Sequence, residues 1–257
     1  MSGLATTLSD TRVIAWRNLL RVVRQPDLLL AFTIQPVMFT LLFVYVFGGA
    51  IRTGFDDYAD FLIPGIVVQN IAFGGFATAL GLSDDVRKGL IDRFRSLPMS
   101  RAAVLSGRTL ADIVTNSIGM TVLIITGLIV GFSFGTSVLE VVAGFALMVL
   151  FGYAFSWVFA LIGLLVSSPE SANAAGFLAV FPLTFISSAF VPIETFPSVL
   201  QAFAEVNPFT LAVDAMRALW LGSPAGNAIW GTVVWSLVLI AVFGTLSIAR
   251  YRRVASS

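Results

Sequence analysis

Side chains that carry out chemistry are scarce in this chain of 257 residues. Histidine and cysteine are absent, and Lys88 is the single lysine. The usual pairs of nucleophile and base, and zinc sites, need histidine, cysteine or paired buried acids. An ATP-binding phosphate loop needs the pattern GxxxxGK[ST], whereas Lys88 lies in VRKGL. The sequence therefore predicts that this chain is not an enzyme and binds no metal ion or cofactor itself.

The most unusual stretch is 181–221, which is apolar yet divided by four prolines. Proline lacks a backbone donor and disfavours helix at the preceding residue. Two short helices are predicted, at 197–206 and 208–221, with Asn207 as cap and Pro208 as first residue of the second. We interpret them as a hairpin that dips into one surface of a bilayer. The apolar side of the second helix is expected to hold Phe209, Val213, Met216 and Trp220.

A second informative stretch is the basic loop that follows Ser83. Ser83 is suited to cap a helix, and Pro98 to end it. An amphipathic helix is predicted at 84–97, because its apolar residues repeat at helical spacing. Phe94 and Leu97 would form an apolar tip that another protein can push.

The composition indicates that these elements lie in a membrane. Hydrophobic residues make up 58% of the chain and charged residues 11%, whereas soluble domains carry about 25% charged residues. Six apolar runs approach or exceed the roughly 20 residues of a spanning helix. The sequence predicts a single all-α integral membrane domain, 1–257, with six transmembrane helices. The spans are about 28–50, 61–82, 110–131, 138–166, 172–191 and 228–249.

Basic residues predict the orientation, since short loops rich in Lys and Arg stay on the cytoplasmic side. With both termini inside, 13 of the 15 basic residues are cytoplasmic. Only Arg52 and Arg217 fall outside, together with the proline-cut hairpin. A helix at 10–25, with Arg17, Arg21 and Arg24 on one side, is predicted to lie along the inner surface against anionic lipid.

Two aromatic stripes stand out within the predicted spans. Phe39 and Phe43 recur along the first, and Phe177, Phe181 and Phe185 along the fifth. Such stripes commonly face lipid or core, and they also suit the wall of a binding path. Gln35, which precedes Pro36, marks a place where the first helix can bend or line a pathway.

Two motifs resemble a known family. FISSAFVP followed by NPFTLAVDAMR, and DVRKGLIDRFRSLPMSR in the basic loop, resemble the permease subunits of type-2 ABC exporters, most closely the daunorubicin and doxorubicin resistance branch. The resemblance implies export of hydrophobic or amphiphilic drugs or lipids across a bacterial cytoplasmic membrane. It also implies a partner subunit that binds ATP and Mg²⁺, and a second permease, identical or paralogous. No nucleic-acid partner is expected.

The resemblance also implies roles for individual residues. By the resemblance, the basic loop contains a coupling helix. The residues implied to contact or orient the ATPase are Arg87, Gly89, Asp92, Arg93, Phe94, Leu97 and Pro98. The proline-cut hairpin is implied to form an extracellular gate. Its residues are Pro192, Asn207, Pro208, Asp214 and Arg217. The substrate pathway is assigned to Gln35, Phe39, Phe43, Phe177, Phe181 and Phe185.

Two other functions stay open at this point. A secondary transporter driven by ions commonly holds buried acids in the membrane. Here Asp112 and Glu140 lie near the ends of spans, and no pair of similarly interrupted segments indicates inverted repeats. A non-transporting membrane assembly protein explains the spans but gives the coupling helix and the hairpin no purpose.

Overall fold

The computed structural model describes residues 16, 26–51, 53–55, 57–88 and 101–254. These residues are helical apart from the connecting turns and loops, which confirms the all-α class. Apart from Trp16, the helix predicted at 10–25 lies outside the described residues. Residues 89–97 of the predicted coupling helix lie outside them as well. Nine α-helices occur in the described part: α1 Pro26–Leu42, α2 Tyr58–Phe73, α3 Phe76–Arg87, α4 Arg101–Ile129, α5 Val138–Leu165, α6 Pro169–Phe185, α7 Ser198–Val206, α8 Pro208–Leu221 and α9 Ala228–Val254.

Four helical stretches are long and apolar enough to cross a membrane: Tyr58–Arg87, which joins α2 and α3, Leu105–Ile129, Val138–Leu165 and Ala228–Tyr251. The helices α1 and α6 are shorter, at 17 residues each. A π-helical turn, Phe43–Phe47, extends α1. The apolar runs predicted from the sequence therefore all correspond to helices, although the first and fifth are shorter or less regular than the pattern indicated.

The junction of α2 and α3 is shaped by two glycines, Gly74 and Gly75. A β-carbon on Gly75 would lie 2.5 Å from a ring carbon of Phe159 in α5. One on Gly74 would collide with the side-chain amide of Asn116 in α4. Glycine at both positions lets three helices approach closely where side chains would hold them apart.

The helix α8 forms part of the core, so its apolar face meets protein side chains. Phe209, Val213, Met216 and Trp220 share one face, as predicted, and all are fully buried. They pack against α2 and α5 in the main hydrophobic cluster. In contrast, α7 exposes its apolar side, including Val199 and Val206.

Local sequence signals set the ends of α8. The Asn207 side chain accepts a hydrogen bond from the Phe209 amide at 2.9 Å, and Pro208 is the first helical residue. Gly222 ends the helix with φ of +76°, in the left-handed region that favours glycine. The predicted bounds of 208–221 are confirmed, and α7 begins one residue after the predicted start of 197.

Candidate functional site

A cleft of about 390 Å³ lies between α1, the pair α2 and α3, and α6. It contains every predicted pathway residue except Phe43. The Phe43 ring lies just beyond the lining, 4.6 Å from the ring of Phe39. The lining residues are Gln35, Pro36, Phe39, Ile66, Gln69, Asn70, Phe73, Phe76, Leu80, Asn173, Phe177, Phe181 and Phe185.

The two predicted aromatic stripes meet through Phe190, which sequence reasoning missed. Its ring centroid lies 5.1 Å from that of Phe43 in the first stripe and 5.1 Å from that of Phe185 in the second. Phe185 in turn lies 4.4 Å from Phe181. The stripes therefore form one continuous wall of rings at distances where aromatic pairs attract each other. Phe190 follows α6 in a segment without helical period, so spacing alone gave no signal for it.

The polar side chains that line the cleft are all carboxamides. Gln35 comes from α1, Gln69 and Asn70 from α2, and Asn173 from α6. The lining residues given above include no acid and no base. Gln69, Asn70 and Asn173 were not predicted, although an amide inside an apolar run is a signal that sequence reading can use. The cleft thus combines flat apolar surfaces with a few neutral hydrogen-bonding groups.

Beside one end of the cleft, where Phe190 packs on Phe185, lies the segment 186–192, of which the sequence assigned 186–191 to the fifth span. The helix α6 ends at Phe185 instead. The Asn207 side-chain amide donates to the carbonyls of Leu183 at 2.7 Å and Ile186 at 2.6 Å. These carbonyls would accept from later amides if the helix continued. Asn207 therefore caps α8 and replaces the missing bonds of α6 at once.

Arg217 fixes the same segment from α8. Its guanidinium donates to the Phe61 carbonyl at 2.7 Å and the Ser188 carbonyl at 2.8 Å, and it lies 3.2 Å from Asp214 Oδ1. It also stacks on the Phe61 ring, 3.7 Å from the centroid. Only 5% of Arg217 is exposed. We call Asn207, Asp214 and Arg217, with the carbonyls that they hold, the α8 clamp.

The charges of the clamp are tuned by burial. Burial raises the pKa of the Asp214 carboxyl, and the charge of Arg217 opposes this rise. Burial likewise lowers the pKa of Arg217 to about 10, and Asp214 opposes this fall. Arg217 therefore stays protonated at neutral pH, which the two carbonyl acceptors require.

The two remaining predicted gate residues are prolines at the ends of short elements. Pro192 precedes a 3₁₀ turn, Ile193–Thr195, and its carbonyl accepts from the Thr195 hydroxyl at 2.7 Å. Pro208 is buried at the start of α8. Both fix the chain direction on either side of α7.

At the opposite end of the bundle, α3 and α4 flank the predicted coupling helix. Arg87 lies in the last turn of α3, where it pairs with Asp84 at 3.2 Å. Asp84 to Arg87 therefore continue α3 and do not start a new helix, and the Ser83 hydroxyl donates to the Leu80 carbonyl. The other predicted ATPase contacts, Gly89, Asp92, Arg93, Phe94, Leu97 and Pro98, lie outside the described residues.

Asp112, which the sequence placed near the end of a span, is buried inside the bundle. It lies eleven residues after the start of α4, is 6% exposed and accepts a hydrogen bond from Thr78 Oγ1 at 2.7 Å. The start of α4 is at Arg101, nine residues before the predicted start of the span. The bundle therefore holds a buried acid within α4.

The described residues thus form a bundle of apolar helices with an aromatic cleft along α1, α2, α3 and α6, and with the α8 clamp beside it. The family description that matches residues 9–221 is the ABC-2 type transporter, and the chain belongs to this family.

Related proteins agree with this family. The chain is 33% identical, over 96% of its length and 88% of the relative, to the daunorubicin resistance ABC transporter permease protein DrrB1 of Streptomyces coeruleorubidus. It is 24% identical, over 98% of its length and 90% of the relative, to the probable doxorubicin resistance ABC transporter permease protein DrrC of Mycobacterium tuberculosis. It is 26% identical, over 83% of its length and 74% of the relative, to the putative transport permease ycf38 of Cyanophora paradoxa.

These matches confirm the resemblance drawn from the two motifs. The chain is an ABC transporter permease subunit, and its family implies a separate ATP-binding subunit as partner. The two alternatives left open by the sequence, an ion-driven transporter and an assembly protein, are not supported by this family.

Proposed function

We propose that this permease exports neutral or weakly polar amphiphiles, drugs or lipids, across a bacterial cytoplasmic membrane, powered by ATP and Mg²⁺ in a separate subunit. The cleft between α1, α2, α3 and α6 carries this proposal. Six phenylalanine rings offer apolar surface to the body of such a molecule, and four carboxamides offer hydrogen bonds to its polar end. The names of the relatives DrrB1 and DrrC, which refer to daunorubicin and doxorubicin resistance, point to cargo of this kind.

The proposal includes six membrane spans with both termini in the cytoplasm. Four of them are the long apolar helices. The first span along the chain is α1 with its π-helical turn. At about 1.5 Å per residue it reaches roughly 33 Å and so matches a hydrocarbon core. The fifth span along the chain is α6 followed by the segment 186–191. The positive-inside rule supports the orientation, since it leaves only Arg52 and Arg217 outside.

A second permease subunit, identical or paralogous, is proposed to cover the open side of the cleft. The rings of Phe177, Phe181 and Phe185 remain 40–46% exposed although they line the cleft. On α1, which supplies the other wall, the neighbouring residues Ile34 and Met38 are more than half exposed. A partner against α1 and α6 would enclose a path of which this chain supplies one half.

The two ends of the cleft are proposed to serve as gate and coupling point. The α8 clamp, with Pro192 and Pro208, forms the extracellular gate. On the cytoplasmic side, the loop between α3 and α4 contacts the ATP-binding subunit through Arg87, Gly89, Asp92, Arg93, Phe94, Leu97 and Pro98. Its position directly after a spanning helix supports this role, because a force on the loop reaches α3 and α4 without an intervening linker.

The experiment compares two substitutions on α6. Phe181 lines the cleft, whereas Leu178 on the same helix is 78% exposed and does not line it. The complex of permease and ATP-binding subunit is reconstituted in liposomes, and ATP-dependent transport is measured for a panel of neutral and cationic hydrophobic dyes. Phe181→Ala is expected to change the relative rates among the dyes by at least five-fold, and Leu178→Ala by less than two-fold.

The readout separates binding from folding. A changed order of preference among dyes shows contact with cargo, whereas a loss that is equal for all dyes and follows the amount of inserted protein shows only packing. Equal effects of Phe181→Ala and Leu178→Ala would contradict the assignment of the cleft. Absence of ATP-dependent transport of every dye by the unaltered complex would contradict the proposed cargo.

A further inference from the structure

Polar side chains and glycines face each other along the contact between α2 with α3 and the antiparallel helix α4. On the first pair they recur every three or four residues, which places them on one helical face. The same spacing recurs on α4. We call this set the polar ladder. Its members are Asn70, Gly74, Thr78, Gly81 and Asp85 on one side, and Arg108, Asp112, Asn116 and Gly119 on the other.

Two rungs of the polar ladder are direct polar contacts. Arg108 Nη1 lies 2.9 Å from Asp85 Oδ2, with the side chains 10% and 15% exposed. One turn further along, Thr78 Oγ1 donates to Asp112 Oδ2 at 2.7 Å, and both residues are buried. Hydrogen bonds and charge pairs at low exposure are directional, so they hold two helices in one register.

The other rungs seat a polar side chain over a glycine. A β-carbon on Gly81 would collide with the Arg108 guanidinium, and one on Gly74 with the Asn116 amide. In the reverse direction, a β-carbon on Gly119 would lie 3.1 Å from Asn70 Oδ1. Each of these glycines therefore makes room for a polar side chain of the opposite helix.

The polar ladder extends from the cleft to the end of α3 that precedes the proposed contact with the ATP-binding subunit. Asn70 at one end lines the cleft. Asp85 at the other end lies in the last turn of α3, three residues before Lys88 and the loop to α4. The two helices that flank this loop are thus fastened to each other from the loop to the cleft.

We propose that the polar ladder makes α2, α3 and α4 move as one body, so that a displacement of the loop at 88–100 reaches the cleft at Asn70. Asp85, Arg108, Thr78 and Asp112 are positioning residues in this inference, which rests on the proposed ATP-driven function. Separating an ion pair whose side chains are only 10% and 15% exposed removes much of its electrostatic stabilisation. A push on the loop therefore moves the joined helices before it parts them.

The first test breaks and restores the ion pair in the reconstituted complex. Asp85→Asn keeps the size of the side chain and removes its charge. The measured quantities are binding of the ATP-binding subunit, the rate of ATP hydrolysis, and the number of dye molecules transported per ATP. Asp85→Asn is expected to lower transport per ATP at least five-fold while subunit binding stays within two-fold. The double exchange Asp85→Arg with Arg108→Asp is expected to restore at least half of the coupling.

The second test uses matched glycines on the same helix contact. Gly81→Ala displaces the Arg108 guanidinium, whereas Gly127→Ala meets the apolar tip of Ile63 at 3.1 Å, outside the polar ladder. Transport per ATP is expected to fall at least three-fold for Gly81→Ala and to stay within two-fold for Gly127→Ala. If Asp85→Asn fails to accumulate, Thr78→Val removes the neighbouring rung at nearly constant volume and provides the same readout.

The outcomes are distinct for the two proposals. Unchanged transport per ATP in Asp85→Asn, Thr78→Val and Gly81→Ala would overturn the inference and leave the proposed function intact. Loss of subunit binding in the same variants would also overturn it, because the polar ladder would then only support the docking surface. An unaltered permease that neither binds an ATP-binding subunit nor transports with one would overturn the proposed function, and the inference with it.

Discussion

Removing the guanidinium of Arg217 is expected to destabilise the end of the bundle that α8 organises. In Arg217→Ala the carbonyls of Phe61 and Ser188 lose their donors, at 2.7 and 2.8 Å, inside the protein. An unsatisfied buried group costs about 1–3 kcal/mol. Asp214 loses its charged partner but keeps the hydrogen bond from Ser188 Oγ at 2.8 Å, and its side chain is 40% exposed, so water replaces part of the lost interaction. The expected loss of stability is about 3–5 kcal/mol.

Two milder substitutions grade this effect. Arg217→Lys keeps one charge but cannot serve two carbonyls and Asp214 with a planar fork, so we expect a loss of about 1–3 kcal/mol. Asp214→Asn leaves both carbonyl bonds of Arg217 in place and removes a partly exposed charge, for about 1 kcal/mol. The order of destabilisation is therefore Arg217→Ala, then Arg217→Lys, then Asp214→Asn.

Thermal unfolding of the purified permease in detergent measures this order. Near-ultraviolet circular dichroism is a suitable probe, because Trp220 in α8 is fully buried among the rings of Phe132, Phe134 and Phe145. For a domain of this size, about 4 kcal/mol corresponds to roughly 8–16 °C in Tm. Equal midpoints for Arg217→Ala and the unaltered protein, or a larger drop for Asp214→Asn than for Arg217→Ala, would refute the reasoning.

Two further substitutions test how α6 ends and how α2 meets α5. Asn207→Asp keeps the acceptor that caps α8 but loses the amide donors to Leu183 and Ile186, so hydrogen exchange is expected to rise at 183–192 and not at the start of α8; equal exchange in both places would contradict the separate roles. Gly75→Ala is expected to lower stability by about 1–3 kcal/mol through overpacking against Phe159, measured by Tm, whereas Gly54→Ala, with open space around it, stays neutral.

Local signals allowed much of the fold to be predicted. The bounds of α8 follow from residues adjacent in sequence: Asn207 and Pro208 begin the helix and Gly222 ends it. The α7 helix likewise follows from Pro197 and its apolar spacing. The apolar runs gave the helices because period and length are properties of one segment at a time.

Features that depend on distant residues were not predictable in the same way. The central position of α8 depends on Phe61, 156 residues away, whose carbonyl compensates a buried arginine. The early end of α6 depends on Asn207. A hydropathy run cannot show either, because it counts apolar residues and does not show which carbonyls another element satisfies.

The candidate site shows the same division. The Phe39 and Phe181 stripes were visible as helical repeats, and the structure places both at one cleft. Phe190, which joins them, lies in a non-helical segment and carries no period. The polar ladder was missed because its rungs pair residues 23 to 49 positions apart, and because Asp112 was interpreted as lying near the end of its span.

Phe190 also links the cleft to the α8 clamp. Its ring packs on Phe43 and Phe185 in the aromatic wall, while its carbonyl accepts from the Tyr58 hydroxyl at the start of α2. The clamp holds the Ser188 carbonyl, two residues earlier in the same segment. We therefore expect a movement of α8 that releases Ser188 to shift Phe190 and the aromatic wall between α1 and α6. The proposed gate and the proposed substrate path share this backbone segment, so we expect the two to be coupled.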